Sequence, residues 1–166
     1  MHGHRSPAGI RENGGHALTF ERSYDLDLGG VQAKLTARGP NHTAGDTIVW
    51  IEPDRVLFGG DLAMRAQPAF ASPRSSIRQW LASLDRLEAL NPAIVVPSHG
   101  PTGDGTGFIT GYRAYLTEVR DRTGKEKRAG RSVEQAVETV TATFADRAPD
   151  KARLAGAIKA AYAEAP

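Results

Sequence analysis

The chain contains no cysteine, so neither a disulfide nor a thiolate metal site can form, and the redox compartment is left open. No window approaches the roughly 18 apolar residues that a membrane-spanning helix needs. Aromatic residues make up only 7% of the chain, and charge of one sign is not in excess: 21 Lys and Arg face 19 Asp and Glu, for a net charge of +2. So weak a field gives no argument for a nucleic-acid or anionic-membrane partner, and neither is expected. The opening residues, Met1 to Gly9, lack the apolar core of an export signal. The chain as written is therefore expected to be cytoplasmic, with a periplasmic location following only if the natural start lies upstream. What is present is ordinary globular material: 166 residues, 40% hydrophobic and 24% charged, enough for one domain with a real core.

Residues 1–16 are rich in Gly, His and Arg without periodicity and predict a loose N-terminal segment. Residues 17–123 form the expected main domain. Tyr24-Asp-Leu-Asp-Leu and Val31-Gln-Ala-Lys-Leu alternate around Gly29-Gly30, which predicts a hairpin. Thr47 to Ile51 and Arg55 to Phe58 predict a second hairpin around Glu52-Pro53-Asp54, and their near-continuous apolar character predicts strands covered on both faces. Residues 62–74, with Pro68 and Pro73, read as a loop. From Ser75 to Leu90 an apolar stripe of Ile77, Trp80, Leu81, Leu84, Leu87 and Leu90 predicts a helix packed on the sheet. Asn91-Pro92 ends it, Ala93 to Pro97 reads as a short buried strand, and Phe108 to Arg122 as a further helix. Residues 124–166 are expected to form a helical tail packing on the same domain. A Ser132-x-x-Gln135 capping box opens one helix to about Ala145, and Pro149-Asp150 opens another to about Glu164. The run from Arg120 to Arg131 is basic but broken by acids and holds no aromatic residue, so it reads as a solvated linker.

Three widely spaced pieces carry the chemistry: Gly39-Pro-Asn-His-Thr-Ala-Gly-Asp46, Val56-Leu-Phe-Gly-Gly-Asp61 and Val95-Val-Pro-Ser-His-Gly100. Each ends a strand-like run or opens a loop, and each delivers one metal-capable side chain, His42, Asp61 or His99, to the edge of a sheet where loops gather ligands. Two imidazoles and a carboxylate are a plausible zinc set, and a carboxylate has two oxygens with which to bridge two cations. Asp46 reads differently, as a carboxylate that fixes its own loop by accepting backbone N–H groups.

With these motifs the sequence resembles the C-terminal half of the metallo-β-lactamase superfamily of metallohydrolases, from roughly Tyr24 to Tyr115. The resemblance implies an α/β (α+β) fold with a mostly antiparallel or mixed sheet covered by helices. It implies that His42 ligates one zinc, that His99 ligates a second, and that Asp61 bridges the two and serves catalysis. The family's His-x-His-x-Asp-His signature is absent, since no Asp-His dipeptide occurs; His2-Gly3-His4 is followed by Arg5-Ser6-Pro7 and receives no ligand role. The chain thus reads as about half of the usual fold. It is expected to be a zinc-dependent hydrolase of an ester, thioester, lactone or amide, or a truncated fragment of one, weakly active or inactive by itself. The substrate is expected to be a small molecule met by loop 62–74. The competing expectation is a non-catalytic scaffold that oligomerises through an exposed sheet face. Its partner would be a second copy or a complementing N-terminal half.

Overall fold

The computed structural model describes residues 19–64, 69, 71–147 and 151–166. The segment 1–16 lies outside them, as do His2, His4, Pro68 and the Pro149-Asp150 pair. Among these residues six strands lie in one sheet in chain order: β1 (Ser23–Asp27), β2 (Gln32–Ala37), β3 (Thr47–Ile51), β4 (Val56–Gly60), β5 (Ile94–Pro97) and β6 (Gly103–Asp104). All neighbours pair antiparallel except β4 and β5, which are parallel and joined by helix α1 (Ile77–Ala89). Three more helices follow among the described residues, α2 (Gly105–Arg128), α3 (Val133–Thr143) and α4 (Lys151–Glu164), giving an α+β fold with a mixed sheet.

Local chemistry explains the turns. Between β1 and β2 the Asp27 carboxylate accepts from the backbone N–H of Gly29 (2.9 Å) and Gly30 (3.1 Å), and both glycines have positive φ, 82° and 107°. Helix α1 starts where Ser76 caps it, its hydroxyl accepting from Gln79 N at 3.2 Å. The expected stripe is buried: Ile77, Trp80, Leu84 and Leu87 are fully inside, and Leu81 nearly so. They meet Ile48, Leu57 and Val95 from the sheet, together with Ile109, Leu116 and Val119 of α2 and Leu154 and Ile158 of α4. α2 is longer than its sequence pattern predicts. It runs through Gly124 and most of the basic stretch, so residues 120–128 are helix and not linker.

The tail helices are tied to the rest by specific bonds. The Ser132 and Gln135 capping box forms as expected. At the far end, the Glu164 carboxylate accepts from the Ser76 hydroxyl (2.6 Å) and Arg78 N (2.9 Å), so the last turn of α4 holds the first turn of α1. Lys127 Nζ donates to the carbonyls of Tyr162 (3.0 Å) and Ala165 (2.6 Å).

The two faces of the sheet differ. In β1 and β2 the helix side carries Ser23, Asp25, Lys34 and Thr36, while Tyr24, Leu26, Ala33 and Leu35 point to the other face. Register continues that other face through Val49 and Ile51, Val56 and Phe58, then Ile94 and Val96. Leu57 and Val95 on the helix side are fully buried, whereas Phe58 and Ile94 opposite are 43% and 44% exposed. The expectation of strands covered on both faces holds at Ile51, which is buried beside Ala33 on that other face, and is corrected at Phe58 and Ile94. Among the described residues the helices cover one side only, and the apolar run in β4 and β5 serves two different environments.

One buried group is out of balance. The Tyr112 hydroxyl is buried with no partner among the described residues, and burial pushes its pKa well above the usual tyrosine range, with Tyr115 and Asp61 adding to the shift. An orphaned buried hydroxyl costs about 1–3 kcal/mol. Tyr112→Phe removes the hydroxyl and keeps the ring, so it should stabilise the fold by about 1 kcal/mol in urea denaturation. A loss of stability would show that the hydroxyl has a partner.

Candidate functional site

The three metal-capable residues meet at one edge of the sheet. His42 sits in the loop between β2 and β3, Asp61 follows the last residue of β4, and His99 lies two residues beyond β5. Asp46 organises the first loop as its position predicts. Its carboxylate accepts from Asn41 N (3.0 Å), Thr43 N (3.1 Å) and the Thr43 hydroxyl (2.7 Å). A Cβ on Gly39 would stand 2.2 Å from the Ala44 carbonyl oxygen, so only glycine fits there. The loop is stapled to α1: the Asn41 carbonyl accepts from Ser76 N at 3.2 Å, and the His42 carbonyl accepts from the Ser75 hydroxyl.

Asp61 stands between the two rings. His42 Nε2 is 3.5 Å from Asp61 Oδ2, and His99 Nε2 is 3.7 Å from Asp61 Oδ1, so each imidazole faces a different oxygen of one carboxylate. Both separations are longer than an ordinary N–H···O bond of about 2.9–3.0 Å. They are close to the edge of about 3.3 Å between two ligands on a tetrahedral zinc, given metal–ligand bonds of about 2.0–2.2 Å. The site is half walled. The His42 side chain is 14% exposed and lies edge-on to Trp80 at 5.8 Å, while His99 is 57% exposed on the open side.

Two residues of the site were not singled out from the sequence for this role. The Ser98 hydroxyl donates to Asp61 Oδ1 and fixes the carboxylate, while Ser98 N donates to the Gly60 carbonyl at 3.1 Å and aligns the two strand ends. Trp80, expected to be plain core, also backs His42, and its indole N–H donates to the Leu62 carbonyl at 2.8 Å. The Pro-Ser-His turn was the available signal for Ser98, since a hydroxyl beside a ligand-type His is placed to reach a neighbouring strand end. Of loop 62–74, Leu62, Ala63 and Met64 are buried, and 65–68 and 70 lie outside the described residues.

The donor set fits a metal in kind but not in number. Among the described residues, no group of three or more His, Cys, Asp or Glu is placed to hold one ion. Each half of the site offers one nitrogen and one oxygen, short of the three protein ligands usual for a catalytic zinc. No helix among the described residues is long and apolar enough to cross a membrane.

Comparison with known proteins gives the class. The model of the metallo-beta-lactamase superfamily matches residues 2–99, more than half of the chain, and the chain belongs to that superfamily. The metallo-beta-lactamase type 2 of Bacteroides fragilis is 27% identical over 110 residues, covering 64% of this chain and 44% of that protein. A beta-lactamase-like protein 2 homolog of Caenorhabditis elegans is 28% identical over 81 residues, 49% of this chain and 26% of its own length. Among solved structures, a metallo-beta-lactamase from Pontibacter korlensis superposes with a TM-score of 0.55 at 28% identity, covering 61% of this chain and 48% of that one. A metallo-beta-lactamase family protein from Thermus thermophilus superposes over 87% of this chain and 47% of its own, with a TM-score of 0.66 at 17% identity, a likeness of fold. The chain spans less than half the length of these relatives.

Proposed function

We propose that the chain carries the C-terminal ligands of a zinc-dependent hydrolase that cleaves an ester, thioester, lactone or amide of a small molecule. The observation that carries this reading is the single carboxylate of Asp61 with one imidazole facing each of its oxygens. His42 and His99 would hold one or two zinc ions, with Asp61 between them. Zinc bound there supplies a water whose pKa falls to about 7, a nucleophile usable at neutral pH. The chain's own contribution is orientation. Ser98 holds the Asp61 carboxylate, Asp46 fixes the loop that aims His42, and Trp80 keeps water from one side of that ring.

With so few ligands per ion, the chain alone should turn over slowly. The test is hydrolysis of an aryl ester, a thioester, a lactone and a β-lactam with zinc supplied, beside Asp61→Asn. Slow turnover that needs zinc and disappears in the variant supports the reading. Turnover indifferent to both a chelator and Asp61→Asn would refute it.

A second reading is favoured by the open sheet face, where Phe58 and Ile94 stand exposed among apolar neighbours. Sheets with one such face bury it against a second layer about 10 Å away. The half of the relatives' length that this chain does not match is the natural source of that layer. The other occupant this reading offers that face is a second copy of the chain.

A further inference from the structure

On the helix side of the sheet, residues of β1, β2 and β3, with Leu90 at the end of α1, line a cleft of about 670 Å³. Its walls combine two chemistries. Trp50 and Leu90, both half-buried, give an apolar wall, and Arg22, Lys34 and Arg38 bring three cations to it. Among the described residues none of these cations makes an ion pair with a carboxylate. Arg38 is the unusual one. Its Nε is buried with no acceptor among the described residues, and burial lowers its pKa, with the nearby Arg86 pressing in the same direction.

A guanidinium held half-buried, beside another guanidinium and without a counter-ion, costs stability unless something answers it. Nothing among the described residues does. Glu21 lines the cleft at the Arg22 end and Glu52 near Trp50, and neither reaches a cation. These two carboxylates also restrict the guest. A polyanion would meet them, whereas a single carboxylate set at Arg38 would not.

We propose that this cleft binds a small organic monoanion, a carboxylate on a flat apolar body, with the carboxylate on the Arg38 fork and the body against Trp50. A guanidinium fork matches both oxygens of a carboxylate, which a lysine ammonium does not. Arg86 and Lys34 add to the attraction without having to touch the guest. The guest carboxylate would meet the outer nitrogens of the guanidinium and neutralise a charge that has no counter-ion among the described residues.

The probe is benzoate, titrated into chelator-treated protein so that the metal-capable edge takes no part, and followed by NMR at the Trp50 indole N–H and the Arg38 Nε–H. The expected result is saturable shifts at both, with cyclohexylamine, a cation of similar size, giving none. Arg38→Gln should weaken binding by at least about tenfold, the loss of one charge-assisted contact. Arg86→Gln, on the exposed side of α1, should weaken it by a smaller factor and keeps the test open if the first variant misfolds. Shifts that never saturate, or that persist undiminished in both variants, would overturn the proposal.

Discussion

Replacing Asp61 with alanine should lower zinc affinity by at least about 100-fold in calorimetric titration, because both halves of the site lose the carboxylate they share. Removing a residue that merely orients a ligand costs about 10–100-fold, and Asp61 is expected to exceed that range. Ser98→Ala, which leaves the carboxylate in place but unheld, should fall within it. The order Asp61→Ala worse than Ser98→Ala distinguishes a ligand from its support. Equal, small losses in both would mean that zinc binds elsewhere.

The second large effect concerns Trp80. The residue is fully buried, donates to the Leu62 carbonyl, and presents its ring to both His42 and Tyr112. Trp80→Ala should cost about 3–5 kcal/mol, the usual range for removing a large aromatic from a core. For a chain of this size that is a fall in Tm on the order of 10 °C or more. Trp80→Phe keeps most of the packing and loses the indole bond, so it should cost distinctly less. Zinc affinity should drop in both variants, since the wall behind His42 is disturbed. A loss of stability without any change at the metal edge would show that Trp80 serves the core alone.

Much of this was legible in the sequence because the informative residues announce their own geometry. Asp46 is a turn carboxylate three residues after Thr43, and its bonds to Asn41 and Thr43 follow from that spacing. The α1 stripe is regular enough that its buried residues can be named in advance. What stayed hidden depends on distant contacts. The apolar run in β4 and β5 cannot say which side will be covered, so Phe58 and Ile94 read as core and stand exposed. The extension of α2 through Gly124 runs against glycine's low helix propensity, and contacts with α4, such as Lys127 on the last carbonyls, favour it. β6 is only two residues long and is specified by pairing with β5 alone. Ser98 reaches Asp61 across 37 residues of sequence, a contact only the parallel pairing of β4 and β5 brings about.

The chain spans less than half of its relatives' length, and among the described residues each side of the Asp61 carboxylate faces one imidazole. On the proposed reading the edge binds metal while leaving coordination positions to be filled. The most direct measurement is anomalous diffraction at the zinc edge from crystals grown with zinc. Anomalous density is expected within about 2.0–2.2 Å of Asp61 and of His42 Nε2 or His99 Nε2. A filled zinc site elsewhere, with nothing between these three side chains, would contradict a metal centre built on Asp61.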